Sequence, residues 1–287
     1  LFRSVYMEAQ ESAGKKDGSQ IKIAMRILKD YAGEMVTLDQ IDGDFCRGYI
    51  TYLLTEYHPK GKDISNYTLH NYYRALNGAL NSAVRKKKMK ANPFNELEKS
   101  EKIRKPESMR SYMTIEEVQA LIDTPMPHEE YEIVKCAYLF SCFCGLRISD
   151  IIKLKWSDVF VDRGQYRLAV SMKKTKEPIY LPLSPEALKW MPERGGKSSE
   201  DNVFDLPSAN TIRMQLKPWA KAAGISKRFS YHTSRHTFAT MMLTLGADLY
   251  TVSKLLGHAD VKMTQVYAKI INKKKDEAVN LVNGLFH

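Results

Sequence analysis

Residues 231–269 read YHTSRHTFATMMLTLGADLYTVSKLLGHADVKMTQVYAK, and they bring four side chains able to handle a phosphate diester, His232, Arg235, His258 and Tyr267, into fewer than forty residues. His232 and Arg235 lie three positions apart, so on a helix they share a face and can reach one anion together. His258 follows a glycine stop at the start of a turn. Tyr267, nine positions on, falls on or beside a short helix, where its hydroxyl reaches the same phosphate if the chain folds back. With Gly246 and Gly257 as stops, the apolar spacing predicts three helices across the stretch. Taken singly, a His or Arg on a helix is commonly a hydrogen-bonded scaffold group, and a Tyr among sixteen is commonly packing. Their meaning therefore depends on what the rest of the chain supplies.

Upstream, an apolar helix over 131–144 stops at Gly145, and residues 146–150 begin another short helix with Ser149 as its expected cap. The period then changes to two strand-like runs, 166–172 and 178–183, joined by Lys173, Lys174, Thr175, Lys176 and Glu177 as a hairpin with a basic tip. Ser184-Pro185-Glu186 caps a further helix, Gly224 closes one over 208–223, and Ala278, Leu281, Val282 and Leu285 mark a last one. Thr114 and Glu117 form a capping box. Before a polar, charged linker at 99–111, three amphipathic helices are expected; the clearest carries Leu69, Tyr72, Tyr73, Leu76, Leu80, Ala83 and Val84. That helix runs into Arg85, Lys86, Lys87, Lys88 and Lys90, cations that either complement the negative helix end or clamp phosphate. The expected fold is thus mainly α with a small β-hairpin, divided into a helical domain at 1–98, the linker, and a second domain at 112–287.

Lys and Arg number 44 against 33 Asp and Glu, a net charge of +11, which makes a polyanion such as DNA or RNA the first partner to consider. No run of eighteen apolar residues occurs and the start lacks the features of a signal peptide, so a cytoplasmic, non-membrane protein is expected. Leu1 stands where a Met would open a chain, which points to a longer parent with room for an upstream domain. Cys46, Cys136, Cys142 and Cys144 read as reduced core thiols. Neither an H-E-x-x-H, an acidic cluster fit for Mg²⁺ nor a phosphate loop is present, so neither metal nor nucleotide cofactor is expected.

Gly145-Leu146-Arg147, Lys174, His232-Thr233-Ser234-Arg235, Leu256-Gly257-His258 and Tyr267, in that order over about 120 residues, resemble the tyrosine recombinase family, the phage-type integrases. The N-terminal half is similar to that family in architecture more than in motif: a small helical, SAM-like DNA-clamping domain. The resemblance implies a C-shaped two-domain clamp on duplex DNA and site-specific recombination through a 3′-phosphotyrosyl intermediate, for integration or excision of a mobile element. It also implies that the last helix docks into a neighbouring subunit of a homotetramer.

The chemistry of the residues agrees. Moving a phosphodiester onto a tyrosine builds charge on the non-bridging oxygens, where an enzyme without a metal must supply fixed cations. Arg147 and Arg235 suit that place because a guanidinium stays charged and grips phosphate bidentately. His258 adds a hydrogen bond, Tyr267 attacks, His232 serves as base or proton-positioning group, and Lys174 protonates the departing 5′-oxygen. Lys173 and Lys176 lie on the same loop and, with Lys86, Lys87 and Lys88, are the expected DNA-backbone contacts. Asp150 reads as a structural acid. A type IB topoisomerase and a non-catalytic DNA-binding protein on the same fold are the alternatives.

Overall fold

The structure, a computed structural model, describes residues 19–34, 36–106, 110–171 and 178–268. By its internal packing the chain divides into two units, 1–108 and 109–287, with the break falling inside the polar stretch 99–111.

In the first unit, α1 (Ser19–Ala32), α2 (Gly43–Thr55) and α3 (Asn66–Arg85) pack their apolar faces together around Ile27, Leu28, Cys46, Tyr49, Leu53, Leu76, Leu80 and Phe94. Each of the last two helices starts where a short polar side chain takes up an orphan amide: Asp42 accepts from Phe45 N at 2.8 Å and Ser65 from Thr68 N at 3.3 Å. Tyr31 sets its ring edge-on to Phe45 and Tyr49, with centroids 5.3 and 5.6 Å away. Asn92 fixes the chain leaving α3 by donating to Asn77 Oδ1 at 2.7 Å and Asn81 Oδ1 at 2.8 Å. α3 itself ends in an unusual turn. Lys87 occupies the left-handed region at φ 54°, and its amide and that of Lys88 close onto Val84 O and Ala83 O, both at 2.9 Å. Lys86, Lys87, Lys88 and Lys90 are all exposed there.

The second unit holds α4 (Ile115–Asp123), α5 (Glu132–Cys144), α6 (Ile148–Ile151), β1 (Val159–Asp162), β2 (Gln165–Ser171), β3 (Pro178–Pro182), α7 (Pro185–Leu188), α8 (Ala209–Ala222), α9 (Tyr231–Thr244), α10 (Leu249–Leu255) and α11 (Lys262–Ala268). The Thr114–Glu117 capping box forms, with amide-to-side-chain bonds of 2.7 and 3.2 Å. α5 is apolar almost all round and correspondingly central, buried from Val134 to Cys144 save Cys136 and Phe143. Its polar atoms are satisfied in place: the Tyr231 hydroxyl donates to Ala137 O at 2.7 Å and lies 2.9 Å from Ser141 Oγ. Burial holds the Cys46 and Cys144 thiols up to about 12, so both are unreactive core groups.

Two sequence expectations are corrected here. The sheet has three antiparallel strands rather than two: β1 pairs with β2 through a tight turn in which Arg163 (φ 52°) and Gly164 (φ 78°) are both left-handed. Four residues, Val159 to Asp162, are too few to show an alternating period, and the strand is formed by its partner. Ser149 lies inside α6, whose cap position is Arg147 instead; the Ser149 hydroxyl donates to Asp150 Oδ1 at 3.1 Å. The hairpin tip carrying Lys173, Lys174 and Lys176 and the terminal segment with Ala278 and Leu285 lie outside the described residues. Among the described residues no helix is long and apolar enough to cross a membrane.

Candidate active site

α5 ends at Gly145 because the chain must turn back with φ 75°, a conformation glycine adopts without steric cost. A β-carbon on Gly145 would stand 2.6 Å from Phe238 Cδ1 and 3.1 Å from Leu256 Cδ2, so a side chain is excluded twice over. Arg235, on α9 and only 2% exposed, donates through Nη1 to Gly145 O at 2.7 Å and through Nη2 to Leu256 O. One guanidinium thereby ties together the end of α5, α9 and the turn after α10. Burial and the neighbouring Arg147 pull its pKa down to about 10, which leaves it cationic at neutral pH. Arg147 keeps 22% of its side chain exposed and approaches the buried Asp150, Nη1 to Oδ2, at 4.0 Å.

The turn that follows α10 carries His258, half-buried, with Gly257 left-handed before it at φ 60°. His258 Nδ1 lies 2.7 Å from Thr264 Oγ1, a buried hydroxyl on α11. Tyr267 is one turn further along that helix and 1% exposed. Its hydroxyl lies 2.6 Å from His236 Nδ1 and accepts from Arg110 Nη1 at 3.4 Å, the guanidinium standing 5.7 Å from the ring centroid. Burial raises the phenol's pKa, while Arg110, Arg235 and Arg147 act in the opposite sense.

His236 has its own pKa lowered to about 3, first by burial and then by His232 and the nearby arginines, so its imidazole is neutral at physiological pH. The His232 ring stands edge-on to it, with centroids 4.5 Å apart. His232 exposes part of its ring but is crowded enough that desolvation, then Arg235, Arg110 and Arg147, lower its pKa too.

The structure therefore gathers Arg147, His232, Arg235, His258 and Tyr267 from four segments into one neighbourhood, whereas Lys174 lies outside the described residues. His232 and Arg235 share α9 but face different surroundings, one toward solvent and the other sealed between carbonyls. Sequence reasoning missed Arg110 and His236, the two groups on the Tyr267 hydroxyl. His236 carried a signal, since it sits one turn after His232. Arg110 carried none, because nothing in a polar connecting stretch shows that it returns to α11. It is brought there by its neighbours: Tyr112 O accepts from Lys227 Nζ at 2.7 Å and Met113 N donates to Thr237 Oγ1 at 2.9 Å.

Comparison with known proteins matches residues 111–274 to the phage integrase family and residues 2–105 to the phage integrase SAM-like domain. A tyrosine recombinase of Pseudothermotoga lettingae is 29% identical over 242 residues, covering 76% of this chain and 82% of that one. The tyrosine recombinase XerD of Halalkalibacterium halodurans is 34% identical over 169 residues, 55% of this chain and 56% of its own. Among solved structures, the Tn1549 transposon integrase in complex with transposon right end DNA superposes with a TM-score of 0.70 at 18% identity, covering 98% of this chain and 99% of that one, a likeness of fold.

Proposed function

The chain belongs to the phage integrase family, and from that premise we propose that the cluster around Tyr267 cuts and rejoins DNA strands through a covalent 3′-phosphotyrosyl link. The protein is a tyrosine site-specific recombinase. In the proposed step the Tyr267 oxygen bonds to phosphorus, the bond from phosphorus to the 5′-oxygen breaks, and that oxygen takes a proton from Lys174. Reversal by a 5′-hydroxyl of the same or another strand restores the phosphodiester without ATP, because the phosphotyrosine retains the bond's energy. Arg147 and Arg235 face the non-bridging oxygens with fixed charge, and His258 adds a donor. His232, exposed at the edge of the cluster, is the proton-positioning group. The observation that carries the reading is a sealed phenol, 2.6 Å from an imidazole and flanked by an arginine, with the other candidate groups converging on it from separate segments.

The substrate proposed is duplex DNA gripped by both units as a clamp, with Lys86, Lys87, Lys88, Lys173 and Lys176 on the phosphate backbone. Recombination in place of relaxation is favoured by the SAM-like domain match over 2–105. The setting proposed is integration or excision of a mobile element, and the place the cytoplasm. Docking of residues 278–285 into a neighbouring subunit would build the homotetramer that strand exchange requires.

The test is a nicked suicide duplex carrying the element's end. A denaturation-resistant protein–DNA adduct forms with the wild type and disappears in Tyr267→Phe, and a two-site substrate yields recombinants. An adduct that survives Tyr267→Phe removes Tyr267 from the role; adducts with relaxed plasmid but no recombinants assign the topoisomerase reading.

A further inference from the structure

We infer that His236, rather than His232, takes the phenolic proton when Tyr267 attacks, and is the general base of strand cleavage. The inference rests on Tyr267 being the nucleophile. Among the described residues, the groups hydrogen-bonded to the Tyr267 oxygen are His236 and Arg110, and a guanidinium has no lone pair to accept with. The 2.6 Å separation is a hydrogen bond only if one partner donates. Arg110 donates to the phenol and leaves the phenol's own proton free to point at Nδ1; the inference assigns the His236 ring hydrogen to Nε2, the tautomer in which Nδ1 accepts. His232 stands behind His236, ring to ring at 4.5 Å, one step removed from the reacting oxygen.

The atoms balance. As the oxygen–phosphorus bond forms, the phenolic proton passes to Nδ1 and gives an imidazolium, while the bond to the 5′-oxygen breaks and that oxygen is protonated by the acid. In the reverse reaction His236 returns the proton to the leaving phenolate.

The base is weak at rest: Arg110, His232, Arg235 and His258 all face it with positive or potentially positive groups, and it is buried. Weakness is no obstacle here. A phenolic oxygen bonding to phosphorus becomes strongly acidic, so the proton leaves downhill during attack, whereas before DNA arrives it stays on the tyrosine. The dianionic character developing on the phosphate further offsets the surrounding cations.

The experiment follows single-turnover adduct formation on the nicked duplex between pH 6 and pH 9 for wild type, Tyr267→Phe, His232→Asn and His236→Asn. His236→Asn keeps an acceptor but no base. It is expected to lose roughly 100-fold at pH 7, to recover about tenfold per pH unit as solvent ionises the phenol, and to bind DNA as the wild type does. A deficit independent of pH, no deficit, or the rising profile in His232→Asn alone overturns the assignment. Should His236→Asn fail to fold, nitrogen NMR of the wild type decides: a bare Nδ1 supports the inference, and a protonated Nδ1 overturns it. Tyr267→Phe separates the two levels, because an adduct persisting in that variant refutes the nucleophile itself rather than its base.

Discussion

Two residues set the limits within which the site can be altered. Gly145 combines a left-handed backbone with a β-carbon position already filled by Phe238 and Leu256. Gly145→Ala therefore incurs both conformational strain and overpacking, and urea unfolding is expected to show a loss of about 2–4 kcal/mol. His236 sets a pH limit. Its pKa in the fold, about 3, lies below the ordinary 6.5, so between those values the unfolded chain binds a proton that the native state excludes. Stability contributed by the neutral ring is complete above pH 6.5 and is lost as pH falls toward 3, an effect of up to ~5 kcal/mol. Urea midpoints at pH 7, 5 and 4 are expected to fall more steeply for the wild type than for His236→Gln, which does not titrate. Parallel curves would contradict this.

At the scale of elements, the turn closing α3 stands out, because Lys87 occupies a position that glycine usually fills. Lys87→Gly relieves the left-handed strain and is expected to stabilise the first unit by roughly 0.5 kcal/mol in thermal or urea unfolding, after allowing for glycine's extra freedom in the unfolded chain. The same change removes a charge from the proposed DNA face, so stability and DNA affinity should move in opposite directions. Elements with strong local grammar were legible in the sequence: α4 from its capping box, α5 from its apolar run and glycine stop, and β2 and β3 from alternation. What escaped notice lacked local grammar. β1 is held by its partner strand, the α6 cap is Arg147 where Ser149 looked the better candidate, and Arg110 reaches Tyr267 across 157 positions of sequence. Side chains that meet only through tertiary packing leave no periodic trace, which is why five of the grouped residues could be picked out in advance and Arg110 could not, while His236 left only the one-turn spacing from His232.

For the whole molecule, the net charge of +11 sets how association responds to salt. Replacing Lys86, Lys87 and Lys88 together by Gln is expected to reduce the slope of log affinity against log salt by up to ~2.7, at about 0.9 for each phosphate no longer neutralised, with little effect on which sequence is preferred. An unchanged slope would place those lysines away from the DNA. A different consequence follows from the junction at Arg235. Its guanidinium bonds the carbonyls of Gly145 and Leu256, while Phe238 and Leu256 fill the space a side chain at position 145 would need. Position 145 is thus fitted from two sides: its carbonyl is held by Arg235 and its β-carbon space is taken by Phe238 and Leu256. On a fitness landscape that fit is a peak ringed by single-step valleys, so a side chain at position 145 is expected to become tolerable only after Phe238 or Leu256 has first given way.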